Sequence, residues 1–347
     1  MRGPLRKRAL RRTLLPACVV TVLAVTAACQ AGKTHAAPSP ARPTPSHPRA
    51  SQPGQPVVTP LEAAQILSFH DTTMTAANLT LSLPRAATVQ SGAALDDTAA
   101  KYAVGRAIGV SNYPRVGHDQ PSFVIPPTAG SAAYFGAVSH LVDSDGRPVD
   151  TQVLTVFARD RPSAAFRMVL EVPLDRQPVF AVDAHGLVSP PAAGGGGLAV
   201  DPQQAASLLY TYVDTLGNTS LVAPDAALAQ AVATERDAKS AYPAGQYQRS
   251  TQFRQQSYPV YTFPALDNGV IAVFSYRAVS DIQAIGTAPL SVEPNTDVAA
   301  MGGRAGGATG LRTLTTSMLN LTAVHVPPTG SMEVLGFASR LVTADFR

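Results

Sequence analysis

Apolar positions follow three regimes along the chain. From Leu14 to Ala28 they run almost unbroken behind a basic head of Arg2, Arg6, Lys7, Arg8, Arg11 and Arg12. Between residues 30 and 58 the chain becomes a Pro-, Ala- and Ser-rich tract with no periodic apolar face. From Thr59 onward, helical spacing and strand alternation take turns, and they do so twice.

The two passes share a start signal. Thr59-Pro60-Leu61-Glu62-Ala63-Ala64-Gln65-Ile66-Leu67 aligns without gaps on Asp201-Pro202-Gln203-Gln204-Ala205-Ala206-Ser207-Leu208-Leu209. Each segment has a capping residue, then Pro at the first helical position, then Glu or Gln at the third, which together satisfy the unpaired backbone donors of a helix start. Further matches keep the same order. Ala93-Ala94-Leu95 pairs with Ala226-Ala227-Leu228, Ser111-Asn112-Tyr113-Pro114 with Ser240-Ala241-Tyr242-Pro243, and Ala184 to Val188 with Ala338 to Val342. Asp150 to Phe157 pairs with Asp267 to Phe274, an apolar β-branched strand in both.

Strands are expected near 123–125, 134–142, 153–158, 166–172 and 178–182, and again near 251–256, 260–263, 270–277, 314–326 and 333–337. Asp145-Gly146 and Asn268-Gly269 provide the positive φ of tight hairpins. Helices followed by antiparallel strands make an α+β class. The expected organisation is a signal peptide over 1–28, a tether over 29–58, a first module over 59–193 and a second over 194–347. The modules are two tandem helix-helix-antiparallel-sheet units. The Gly194–Gly197 run separates them, and the Gly-rich stretch from Gly302 to Gly310 is expected to be a mobile loop.

Composition sharpens the reading of the first 58 residues. The apolar run is too short to span a membrane and is flanked as a signal peptide is. Val25-Thr26-Ala27-Ala28-Cys29 resembles a bacterial lipobox, with Thr26 where such motifs usually carry Leu. The chain has 2 cysteines, and Cys18 lies within the segment to be removed. Cys29 is then a lone thiol with no disulfide partner, and lipid attachment explains it. The alternative is a plain secretory signal cut near Ala36 or Ala37. Arg11-Arg12 weakly resembles a twin-arginine export signal. The tether cannot bury a core, and about 30 extended residues at ~3.1 Å each reach roughly 90 Å. The expected place is therefore the outer face of a cell membrane, or the medium if the plain signal holds.

The formal charge of +4 is an artefact of the leader. Nine of the 27 basic residues precede residue 60, whereas all 23 acidic ones follow it, so the folded part carries a net −5. A mildly acidic domain without a basic cluster excludes nucleic acid as a partner. Trp is absent, which argues against a carbohydrate platform.

Gly197-Leu198-Ala199-Val200-Asp201-Pro202, Val156-Phe157-Ala158-Arg159 and Val273-Phe274-Ser275-Tyr276-Arg277, with the spacing of the copies, resemble an uncharacterised actinobacterial, streptomycete-type lipoprotein family. Its members carry one domain of unknown function after the linker, and the resemblance implies no catalytic residues. Each half, by element order alone, is similar to the cone-shaped nuclear-transport-factor-2-like fold, which hosts both enzymes and inert binding modules.

Candidate chemistry is sparse. There is no His-Glu-x-x-His pair, no nucleophile elbow, no phosphate loop and no Cys-x-x-Cys pair. Asp143-Ser144-Asp145-Gly146 with Asp150 reads as a hairpin turn rather than a calcium loop, because no Glu closes it. His118, His140, His185 and His325 are isolated, with no ligand spacing. His70 and Asp71 on the first helix are pocket candidates, together with Tyr212, which aligns with His70. Neighbouring helix residues diverge by roughly 100°, so the pair is not expected to share a face. No residue is assigned a catalytic role, and no metal or cofactor is expected. The expected function is a non-catalytic envelope lipoprotein binding a protein or a small ligand. The alternative is a small-molecule enzyme using a cone pocket for acid–base chemistry.

Overall fold

The computed structural model describes residues 54–128, 133–188, 197–224, 226–255 and 258–347. The signal peptide, Cys29 and nearly all of the tether lie outside these residues, as does most of the Gly194–Gly197 run. Thr59 opens helix α1 (Pro60–Asn78) with a complete capping box. Its hydroxyl accepts from the Glu62 N–H at 3.2 Å, and the Glu62 carboxylate accepts from the Thr59 N–H at 2.8 Å. A short α2 (Leu83–Ala86) leads to α3 (Gly92–Ala107).

Four antiparallel strands follow as a meander: β1 (His118–Val124), β2 (Ala133–Val142), β3 (Pro148–Arg159) and β4 (Arg167–Leu174), in that sheet order. The β2–β3 hairpin turns on Asp143, whose Oδ1 accepts the N–H groups of Asp145 and Arg147, with Gly146 at φ +80°. The hairpin reading of this segment holds.

The second pass begins alike. Asp201 caps a 3₁₀ turn opened by Pro202, which runs into α4 (Ala205–Asp214) and then α5 (Ala226–Ala241). Its sheet runs β11 (Glu333–Phe346), β10 (Thr313–Val326), β7 (Val270–Ala284), β5 (Tyr247–Gln255), and the short β6 (Tyr261–Pro264) extends the β5 edge along β7. Asn268, not Gly269, takes the positive φ at the β6–β7 turn, at +68°.

Three sequence expectations change. Residues 178–182 make single bridges instead of a strand, Phe180 to Ala265 and Val182 to Val188. The stretch from Gly302 to Gly310 leaves α6 (Asp297–Met301) and enters β9 (Ala308–Leu311), which pairs with β8 (Leu290–Val292). It is structured because Leu290, Val292, Ala299 and Leu311 bury a small core of their own against Phe346. Val57 and Val58 are buried against the first sheet, so packing starts just ahead of Thr59.

Strand alternation explains the layering. On β3, Leu154 and Val156 join one core cluster, whereas Phe157 joins another. On β7, Ile271 and Val273 join the first of these, while Ala272, Phe274 and Tyr276 turn away. Side chains two apart share a face, so each sheet has an inner face against the other sheet and an outer face under helices. The layers are α1, the first sheet, the second sheet, then α4 and α5, with α3 set beside β4, where Ala93 and Ala100 join the core between the sheets. The described residues all fall in one compact unit.

Phe157 and Phe274, paired in the sequence, are both buried on helix-facing sides. Their strands differ in rank, however. β3 is third in its meander, whereas β7 is second from the β5/β6 edge of its own. A strand-for-strand match of the halves is not seen at this pair.

Candidate functional site

Between α1, α3 and β4 lies a cavity of about 100 Å³. Met74, Ala94, Val116 and Met168 form its apolar wall, and Leu321 from β10 of the second half closes one side. The remaining lining is polar: His70, Asn78, Gln90, Thr98, Asp97, Lys101 and Glu171. Several of these are already paired. The Tyr102 hydroxyl donates to Asn78 Oδ1 at 2.8 Å, and Thr98 donates to Gln90 Oε1 at 2.8 Å. Burial pushes the Tyr102 phenol up to about 12, so it stays a neutral donor.

Charged groups at the cavity are less well served. Burial pushes the Asp97 carboxyl above its usual range, only partly countered by Arg340 at 3.7 Å. Desolvation pulls Lys101 down, against the attraction of Asp97 and Glu171. The Lys101 side chain as a whole is exposed, so that penalty is modest. Its ammonium sits 4.4 Å from the centre of the Tyr113 ring.

Behind the cavity, α1 and β1 bring three groups together. Asp71 Oδ1 lies 3.1 Å from His70 Nδ1 and 2.8 Å from His118 Nδ1, and Asp71 Oδ2 accepts the His118 backbone N–H at 3.0 Å. Glu171 Oε2 stands 3.4 Å from His118 Nε2, on the other side of that ring. Burial alone would lower His118, but hydrogen bonds to Asp71 and Glu171 prevail and hold it up at about 10. Burial would likewise raise Asp71 and Glu171, yet the His118 contact keeps both below the usual carboxylate range. His70 is 2% exposed, with its ring edge-on to Phe157 at 5.8 Å. Its Nε2 has no hydrogen-bond partner among the described residues.

Two expectations are corrected here. His70 and Asp71 do converge, because a bridging carboxylate needs to reach only one nitrogen of an adjacent ring, and His118 draws it inward. His118 is not isolated, since β1 carries it to α1 across 47 positions. No spacing rule reveals such a pairing. In the sequence, Pro114 of the Ser111-Asn112-Tyr113-Pro114 segment marks only the end of the helical region. Tyr212 does not join the site: it is buried with Leu209 and Phe274 under the second sheet, and it is not among the residues lining the cavity.

Among the described residues no helix is long and apolar enough to cross a membrane. Residues 54–345 match the family model of a domain of unknown function, DUF8094, and the chain belongs to that family. No curated protein and no solved structure matches the chain.

Proposed function

We propose that this protein is an exported, actinobacterial-type lipoprotein, anchored through Cys29 at the outer face of the cell membrane, whose folded domain binds a small polar ligand without transforming it. The observation that carries the binding reading is the cavity beside α1 and α3, lined by Asp97, Lys101 and His70, whose Nε2 has no hydrogen-bond partner among the described residues. Charges held where desolvation penalises them lower stability, and such groups gather where a ligand will meet them. The size of the cavity favours a metabolite-sized polar molecule over a drug-sized apolar one. Each half remains comparable, by element order, with the cone-shaped nuclear-transport-factor-2-like fold.

A thermal-shift panel of amino acids, dicarboxylates and sugar phosphates against the mature protein tests this. At least one class should raise the melting temperature, and Lys101→Met should abolish that rise while leaving the protein folded. No shift from any class, together with no retained molecule in native mass spectra of protein taken from envelopes, would refute the reading. Cys29→Ser tests the anchor: the protein should move from membrane to medium.

A second reading is favoured by one specific feature. In the tautomer that donates from Nδ1 to Asp71, His70 presents a lone pair at Nε2, the arrangement of a general base held by a carboxylate. That reading is an acid–base enzyme acting on a small molecule in the same cavity, and turnover lost in His70→Gln would mark it.

A further inference from the structure

We propose that His70, Asp71 and His118 form a binding site for one divalent transition-metal ion of the zinc class. A ligand atom from each of the three lies within 4.8 Å of the others. The closest separations are 3.1 and 2.8 Å, both to Asp71 Oδ1. Around a tetrahedral ion with bonds of ~2.0–2.2 Å, neighbouring ligand atoms stand roughly 3.3 Å apart. The two contacts to Asp71 therefore need to open by only a few tenths of an ångström to admit the ion.

The surroundings are those that metal ligands require. A histidine bound to metal through one nitrogen usually donates from the other to a carboxylate or carbonyl, which fixes the tautomer and aims the free lone pair at the ion. Glu171, 3.4 Å from His118 Nε2, faces that nitrogen as an ion-pair partner short of hydrogen-bond geometry, and Nδ1 is left for the metal. Asp71 is supported in the same way, its Oδ2 held by the His118 backbone N–H so that Oδ1 faces both rings. For His70, an ion on Nδ1 would leave the proton on Nε2, the nitrogen that has no partner among the described residues. That proton would give the adjoining cavity a hydrogen-bond donor.

The donor set selects the ion. Two imidazoles and a carboxylate offer no thiolate for copper(I) and far too few oxygens for calcium. Two carboxylates, Asp71 and Glu171, flank the imidazoles, so an ion that displaces the His118 proton meets a local charge suited to a dication. The centre is enclosed, with the His118 side chain 0% and the Asp71 side chain 16% exposed. An ion here would tie α1 to β1 and would exchange slowly. It would also occupy His70 Nδ1 and remove that residue from the role of general base, so metal loading separates the two readings above. Ligand binding in the cavity does not depend on it.

The test uses the mature protein stripped with a chelator and dialysed. One equivalent of cobalt(II) should produce visible absorption bands of a tetrahedral centre, which zinc(II) should bleach, and zinc should raise the melting temperature. Asp71→Asn and His118→Gln should lose the bands. Should either fail to fold, Glu171→Gln decides: Gln keeps the size and shape of the side chain, so the fold should tolerate the change, and cobalt affinity should fall about 10–100-fold. Absence of bands and of a zinc-dependent melting shift in folded wild type would overturn the proposal. Cobalt affinity unchanged in Glu171→Gln would do so as well.

Discussion

Arg277 Nη2 lies 2.6 Å from Asp96 Oδ2, an ion pair that joins helix α3 of the first half to strand β7 of the second. The Tyr258 hydroxyl donates to the same oxygen at 3.2 Å. Arg277 and Asp96 are each about 30% exposed, so water screens part of the attraction. A double-mutant cycle with Asp96→Ala and Arg277→Ala should give a coupling of about 1 kcal/mol, above the usual value for a wholly exposed pair. A coupling of zero in chemical denaturation would mean that this ion pair adds nothing to the hold between the halves.

Those apolar faces set the second expectation. Leu154 and Val156 of one sheet and Ile271, Val273 and Leu321 of the other belong to one cluster. A shared core couples unfolding of the parts, so calorimetry should show a single cooperative transition rather than two. Phe157→Ala should lower stability by about 3–5 kcal/mol, because Phe157 is fully buried and stacks on Phe135 with ring centres 5.1 Å apart. Phe274→Ala should cost a similar amount and broaden no second transition.

Much of this framework was legible beforehand. Thr59, Pro60 and Glu62 form a local signal that needs no tertiary help, and the capping box appears as written. Alternation in 153–157 and 270–274 located the interior strands. What local pattern could not convey was rank within a sheet, since Phe157 and Phe274 satisfy the same alternation from different strands. The metal-type cluster was hidden for a similar reason: His118 meets Asp71 only after the chain has passed through α3 and turned back. The short β8–β9 ladder was missed because Gly302 to Gly310 looks like low complexity, while its packing depends on Phe346 at the far end of the chain.

The cavity carboxylate gives a pH-dependent expectation. Asp97 has a folded pKa above its unfolded value of 3.8. A raised acid contributes stability that is fully present below pH 3.8 and lost as pH rises through the folded value. Asp97→Asn should therefore unfold at a temperature equal to or above that of wild type at pH 7, and the difference should shrink as the pH falls toward 4. Thermal melts across pH 4 to 8 would check this. A variant clearly less stable than wild type at pH 7 would show that the Arg340 contact outweighs desolvation.

The close approach of the two sheets gives a steric expectation. Gly336 on β11 lies against the backbone of Pro173 on β4, and a Cβ there would run into the Pro173 carbonyl oxygen. The Asp175 and Arg176 N–H groups both donate to the neighbouring Leu335 carbonyl, which pins the backbones at this distance. Gly336→Ala should destabilise by roughly 1–3 kcal/mol through overpacking, measured by urea denaturation.

Leu321 has a consequence for how such a gene can be divided. It belongs to the second half yet closes the cavity formed by α1, α3 and β4 of the first. A fragment ending near residue 188 would encode every polar group of that cavity and still expose its inner sheet face, with no wall where Leu321 stood. Recombination between relatives at the Gly194–Gly197 joint would therefore exchange the wall of the cavity while keeping its polar groups. The cavity keeps its wall only while the two halves stay together, even though the chain writes them one after the other.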